Sequence, residues 1–273
     1  IRAARVDRAG RPSGLLKVRT ESASDATRAV IDLCRVLLDD EVEAIGIGVP
    51  GRLDRQRTTV LSSGYVQLAG QPLGELVSNA LGRPVILEND AGMALLAELQ
   101  VGAATDVDDV VLFTAGTGIG GAVAVAGRLL QGRGNAGQLG HLALDAAGPE
   151  CNCGRRGCSE TLASGTALRH LIYDADLPAD TTIESLLARR RDDPAAAEVL
   201  TLWAGAWRAA IDTVVAVLDP ELVLVGGGLG AAAVTAIEAT QPTTSPWFEC
   251  SIRPTQLGND AGVIGAGLRA LDR

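Results

Sequence analysis

The run Cys151-Asn-Cys153-Gly-Arg-Arg-Gly-Cys158-Ser-Glu160, with His141 upstream of it, constrains the reading of the whole chain. Three cysteines and a histidine supply the four donors of a closed tetrahedral zinc site. The Cys-x-Cys-x4-Cys spacing, with Gly154 and Gly157 for turns, lets one loop wrap an ion while His141 reaches in from the preceding segment. With every position taken by protein, a zinc ion here would be structural. The alternatives are three buried thiols without metal, or a disulfide. Three close cysteines cannot all pair, and an intracellular compartment would keep them reduced. Cys34, on an apolar helix face, and Cys250, in a strand, read as core residues.

Outside this loop the composition excludes several classes. Acidic residues outnumber basic ones 33 to 24 over 273 residues, a net charge of −9 that repels phosphate backbones, so no nucleic-acid partner is expected. No apolar run reaches the roughly 18 residues of a membrane span. The richest stretch, Ile211 to Val225, is broken by Asp212, Asp219, Pro220 and Glu221. No signal peptide is visible, although the chain starts at Ile1 rather than Met. Lys17 is the only lysine and follows no GxxxxG element, so phosphates would have to be held by something other than a Walker A loop.

Strands and helices alternate along the chain, which predicts layered α/β lobes. Ile1 to Val6 and Leu15 to Val18 flank a turn, and Ser24 and Asp25 precede a helical pattern that they would cap. Glu43 to Pro50 and Pro84 to Leu87 read as strands, Leu73 to Leu81 and Ala91 to Val101 as helices. Asp109 to Phe113 and Gly121 to Val125 are strands around a glycine turn; helices follow at Thr161 to Tyr173, at Ile183 to Arg191 and from Asp193 onward. Glu221 to Val225 and Trp247 to Ile252 are expected strands, and Asn259 an expected cap for the closing helix. Two lobes joined near Gly102 to Asp108 result. Residues 1–105, joined by closing helix 259–273, form the first, and 106–258, with the zinc loop, the second.

Three further elements carry chemistry. Asn89 and Asp90 stand where a strand gives way to a helix; Asp90 there could act as general base toward a hydroxyl, or simply cap the helix. Thr114-Ala-Gly116-Thr117-Gly118-Ile-Gly120-Gly121 is either a phosphate cradle of backbone N–H groups or a plain glycine hairpin. Val225-Gly226-Gly227-Gly228 before a helix is a tight turn or a floor against which an adenine lies.

In this order the elements resemble the ROK family of sugar kinases and repressors, whose motif C-x-C-G-x-x-G-C-x-E is complete at Cys151 to Glu160. The resemblance runs from Ile45-Gly-Ile-Gly-Val-Pro-Gly51 through Glu88-Asn-Asp90, Gly116 to Gly121, Ala136 to His141 and Val225 to Gly228, to Gly258-Asn-Asp-Ala-Gly262. It implies the actin-like ATPase (ribonuclease H-like) fold, two α/β lobes with a central cleft, each with a five-stranded sheet. It also implies a cytoplasmic, glucokinase-like hexose kinase that uses ATP and Mg2+, carries structural Zn2+ and forms a homodimer or homotetramer. Carried over, Asp90 takes the proton of the sugar 6-hydroxyl, Asn89 binds a neighbouring hydroxyl, and His141 and Glu160 hold the sugar near its anomeric end. Gly116, Thr117, Gly118 and Gly120 resemble the second phosphate loop, and Gly226, Gly227 and Gly228 the adenosine loop.

Two departures follow. The family's Asp-x-Gly-Gly-Thr phosphate turn is not present; Ile1 to Asp7 fits the family's second strand, so about ten residues are expected ahead of Ile1. Gln138 stands where the family pattern Gly-Glu-x-Gly-His has glutamate. It is either a tolerated near-isostere or a change in sugar choice, because its amide must donate where a carboxylate only accepts. Glucose is the first substrate expected, with N-acetylmannosamine or N-acetylglucosamine as alternatives, the choice being set by loops around Gln138 and Gly64-Tyr65. The reading of another class is a non-catalytic sugar-sensing domain of a ROK repressor; such repressors carry an N-terminal helix-turn-helix, for which this chain has no room.

Overall fold

The computed structural model describes residues 1–19, 23–63, 68–241 and 245–272. They divide into two compact units: unit 1 is Ile1–Asp106, Arg128–Gly137 and Asn259–Arg273, and unit 2 is Val107–Gly127 and Gln138–Gly258. The segment Arg128–Gly137, expected in the second lobe, thus belongs to unit 1. Two contacts hold it there. The Gln131 amide donates to the Glu88 carboxylate at 3.0 Å. Gly134, at φ +98°, lies so close to the Leu53 carbonyl that a Cβ would come within 2.2 Å of it.

In unit 1, β1 (Arg2–Val6) and β2 (Pro12–Lys17) form an antiparallel hairpin. Asp7 closes its turn, accepting from the N–H groups of Ala9 and Arg11. Helix α1 (Ala23–Leu37) follows; the capping expected of Ser24 and Asp25 falls on residues whose side chains are not described. Then come β3 (Ile45–Val49), a short antiparallel pair β4 (Arg52–Leu53) and β5 (Val60–Ser62), α2 (Leu73–Leu81), β6 (Val85–Asn89) and α3 (Asp90–Val101). Strands β3 and β6 pair in parallel, with Val49 opposite Asn89. The described residues of unit 1 form three two-stranded sheets, β1-β2, β3-β6 and β4-β5. The loop at Gly64-Tyr65 lies outside the described residues.

Unit 2 is built on a five-stranded sheet. Its first three strands are β7 (Val110–Ala115), β8 (Ile119–Val125) and β9 (Arg128–Leu129), the last heading the segment that joins unit 1. After a 3-10 turn at Leu139–His141 come α4 (Ser159–Ala163), α5 (Gly165–Asp174), α6 (Ile183–Arg189) and α7 (Pro194–Leu218). Strand β10 (Leu222–Gly226), α8 (Gly230–Thr240) and β11 (Ser251–Pro254) complete it, in sheet order β11-β10-β7-β8-β9. β10 runs parallel to β7 and β11, and every residue of β10 is buried. This is why Leu222 to Val225 reads as an unbroken apolar run rather than an alternating one.

The core of unit 2 is organised by α7. Asp193 caps it through the N–H groups of Ala195 and Ala196, and Pro194 opens its first turn. Trp203 and Trp207 are fully buried, and the Trp207 ring meets Phe113 edge-on at 5.6 Å. By length and hydropathy α7 is apolar enough to cross a membrane, contrary to the expectation that no segment is. Half of its apolar window is packed inside unit 2, the burial of a core helix.

Beyond shifts of a few residues at strand and helix ends, three elements differ from those expected. The helix read over Thr161 to Tyr173 is two, broken at Ser164, whose extended backbone lets its hydroxyl cap α5 and its carbonyl accept from the Trp203 indole. Trp247 is not in a strand: Pro246 opens a 3-10 turn capped by Ser245, leaving Trp247 87% exposed. Residues Gly258–Asp260 form a further 3-10 turn, so the closing helix α9 (Ala261–Leu271), which packs in unit 1, starts after Asp260 and not Asn259. Gly46 in β3 exists for that helix: a Cβ there would sit 1.8 Å from the Ala266 carbonyl.

Candidate functional site

In unit 2 the fold gathers His141, Cys151, Cys153 and Cys158, their donor atoms all within 4.8 Å of one another. The Cys151 sulfur lies 3.6 Å from His141 Nδ1, and the Cys153 and Cys158 sulfurs lie 3.6 Å apart. A tetrahedron with zinc–sulfur bonds of about 2.3 Å and a zinc–nitrogen bond of about 2.0 Å has edges of roughly 3.5–3.8 Å, so the donor set fits zinc. All three cysteines are free thiols. The backbone and guanidinium of Arg155 pull the exposed Cys153 thiol down to about 7, whereas burial pushes Cys158 up to about 12. The loop has little regular structure of its own. Single bridges Ala143–Cys158 and Glu150–Arg156, and the turn bond from Gly154 to the Cys151 carbonyl, hold it.

His141 presents Nδ1 to the cluster, which leaves Nε2 as the ring atom available to a substrate. Glu160, in the first turn of α4, accepts the Ile119 N–H at 2.9 Å through one carboxylate oxygen. The residue that follows the cysteine loop is thereby tied to the glycine turn between β7 and β8. Gln138 precedes the 3-10 turn that carries His141 and makes no side-chain cap there.

The two glycine turns leave the ends of adjacent strands, with Thr114 of β7 paired with Gly226 of β10. In open α/β sheets ligands bind outside such strand ends. The Gly116 and Thr117 carbonyls are taken by the Gly165 and Thr166 N–H groups, which anchors the first turn on α5. Gly120 falls within β8, opposite Thr114, so the open part of this element is Gly116 to Gly118. Gly227, at φ +81°, lies where a Cβ would come within 2.4 Å of the Ala115 carbonyl, while a Cβ on Gly228 would meet nothing within 4 Å. Gly227 is therefore required by the chain path, and Gly228 gives bare backbone on an open side.

In unit 1, Asn89 ends β6 and Asp90 begins α3. The Asn89 side chain accepts from the Ala91 and Gly92 N–H groups and donates to the Gly51 carbonyl at 3.0 Å. The capping role thus falls to Asn89, with one amide hydrogen left for a substrate. Asp90 is open to solvent at the head of α3, and the protein packed around it raises its pKa against the opposing hydrogen bond from the Ala91 N–H. Beneath them lies a feature that motif reading misses: Glu88, 3% exposed, which accepts from Arg57, Gln131 and the Asn89 N–H. In the sequence it shows as a charge ending the apolar run Val85-Ile-Leu-Glu88 and as the first residue of the Glu88-Asn-Asp90 motif, neither of which names its partners.

Glycine turns at the ends of parallel strands, a carboxylate at a strand-to-helix junction and a loop whose four donors fit a metal ion define a protein of the actin-like ATPase class, in which two α/β lobes carry a phosphate-binding machinery. The model of the ROK family matches residues 20–273, and the chain belongs to that family. A glucokinase of Thermotoga maritima is 34% identical over 251 residues, covering 83% of this chain and 78% of that protein. An N-acetylmannosamine kinase of Haemophilus influenzae is 34% identical over 203 residues, 73% of this chain and 67% of that protein. Among solved structures, a ROK family glucokinase from Streptomyces griseus in complex with glucose and AMPPNP has a TM-score of 0.82 at 30% identity, covering 98% of this chain and 95% of that one.

Proposed function

We propose that this protein is an ATP-dependent hexose kinase that phosphorylates the 6-hydroxyl of a sugar, glucose first. Asp90 takes the proton from the hydroxyl, the oxygen attacks the γ-phosphorus, and the bond to the leaving ADP breaks. Gly116 to Gly118 and Gly226 to Gly228 hold the nucleotide, which enters with Mg2+ on its phosphates as co-substrate. Asn89, Gln138, His141 Nε2 and the second oxygen of Glu160 bind sugar hydroxyls. A structural zinc on His141, Cys151, Cys153 and Cys158 would fix the loop that presents His141 and Glu160. Such transfer depends on positioning and charge neutralisation more than on covalent chemistry of the protein.

The observation that carries this reading is Asp90 itself. A carboxyl open to solvent at the head of α3, freed from capping by Asn89 and with its pKa raised by the protein around it, is suited to accept a hydroxyl proton. The family likeness supports a cytoplasmic homodimer or homotetramer. The test is release of ADP from ATP in the presence of glucose, mannose, N-acetylmannosamine or N-acetylglucosamine. Phosphorylation at the 6-position of glucose supports the reading; transfer to none of them contradicts it. Preference for N-acetylmannosamine would move the substrate to the amino sugars and leave the chemistry standing.

A further inference from the structure

We propose that Glu88 is a positioning residue for phosphoryl transfer, fixing the peptide that carries Asp90 through a buried network with Arg57 and Gln131. The proposal rests on the reading of Asp90 as general base. Glu88 sits on β6 and is almost wholly buried, in a strand whose other side chains are apolar until Asn89. A carboxylate there is costly unless it is fully paired. One oxygen, Oε1, accepts from the Arg57 guanidinium and, at 2.8 Å, from the Asn89 N–H. The other accepts from the Gln131 amide at 3.0 Å.

Each donor arrives on a different segment. Arg57, at φ +56°, lies in the loop between β4 and β5, which Asp54 fixes by accepting the N–H groups of Thr58 at 2.7 Å and Thr59 at 3.0 Å. Gln131 lies on Arg128–Gly137. The Asn89 N–H belongs to the peptide immediately before the Asn89–Asp90 junction. Helix α3 makes room for the carboxylate: a Cβ on Gly92 would come within 3.0 Å of the Glu88 Cγ. Capping of α3 needs none of this, since Asn89 already supplies it. Glu88 instead immobilises the chain one residue upstream, where a small rotation would swing Asp90 away from a hydroxyl it must meet at hydrogen-bond distance.

Glu88→Gln keeps the shape but turns one acceptor oxygen into a donor facing other donors. The expected result is kcat about ten- to hundred-fold lower per folded molecule, the scale of a small misplacement of a reacting group. Glucose Kd, read by calorimetry, should change less than about three-fold, because the interaction lost acts in the transition state. The double variant Glu88→Gln/Arg57→Gln should recover part of kcat, since the guanidinium is no longer left buried without its partner. An unchanged kcat per folded molecule, with any loss confined to Tm, overturns the proposal. If Glu88→Gln does not fold, Gln131→Ala removes one bond from the same carboxylate. It should lower kcat about three- to ten-fold, and an unchanged kcat there overturns the proposal equally. Asp90→Asn, made in parallel, separates the two claims. Lost turnover in Asp90→Asn with normal kcat in Glu88→Gln defeats the positioning claim alone, whereas normal turnover in Asp90→Asn defeats the base assignment and this claim with it.

Discussion

Replacing Cys158 by alanine should release the metal and loosen the loop that bears His141. Cys158 is 0% exposed, and its sulfur is one of four donors within 4.8 Å of one another. Changes that merely disturb the partners of metal ligands cost about 10–100-fold in metal affinity, so loss of a ligand should cost at least as much. Between His141 and Cys158 the backbone is held by turns, isolated bridges and a few bonds such as Leu144 N–H to the Gly157 carbonyl, so a bound metal would act there as a cross-link. On the chain-entropy account, closing a loop of this size contributes on the order of 3 kcal/mol. For a protein of this size each kcal/mol moves Tm by about 2–4 °C, which gives a fall of roughly 6–12 °C. The assay is metal content by plasma mass spectrometry beside thermal unfolding, for the native protein, Cys158→Ala and native protein stripped with a strong chelator. One zinc per native chain, none in the variant, and the same Tm loss in variant and stripped protein are expected. A native protein without metal, or an intact mass showing a disulfide among the three cysteines, refutes the reasoning.

The remaining expectations are briefer. Because the protein around Asp90 raises its pKa, kcat should fall on the acid side at a pH above the ordinary carboxylate value of 3.8, as the base becomes protonated. The same shift means that ionised Asp90 disfavours the folded state. Asp90→Asn should therefore raise Tm at neutral pH, and the gain should vanish below the ordinary carboxylate range, where the native side chain is neutral in both states. Gly228→Ala, which meets nothing within 4 Å, should leave Tm unchanged yet raise the KM for ATP, whereas Gly227→Ala should lower Tm because of its positive φ and the Ala115 carbonyl. Gln138→Glu should tighten glucose binding about ten- to hundred-fold, the worth of one charge-assisted hydrogen bond. An identical ranking of glucose, mannose and the N-acetylated hexosamines in both forms would make Gln138 a neutral replacement.

What could be read from the sequence follows the range of the interactions involved. The cysteine loop is legible because its ligands lie close along the chain and zinc accepts few spacings. The glycine turns are legible as turns, since Gly227 at φ +81° leaves a mark that local chemistry explains. The extent of the first turn is not, because Gly120 is fixed in β8 by its pairing with Thr114. Glu88 shows as a charge in an apolar strand, but its partners Arg57 and Gln131 lie 31 and 43 residues away and no local pattern names them. For the same reason Arg128–Gly137 reads as part of the second lobe, although the contacts of Gln131 and Gly134 place it in unit 1. The break at Ser164 is hidden because Thr161 to Tyr173 keeps helical periodicity, while the deciding bonds come from Trp203 and Gly116.

The most direct test of the central claim is phosphorylation of glucose by native protein and by Asp90→Asn, beside calorimetric binding of glucose to both. A general base contributes about 10²-fold or more, so turnover should fall by at least that factor while glucose still binds. Asp90→Asn that transfers phosphate from ATP to glucose at the native rate would contradict the account and leave Asp90 as part of the helix terminus alone.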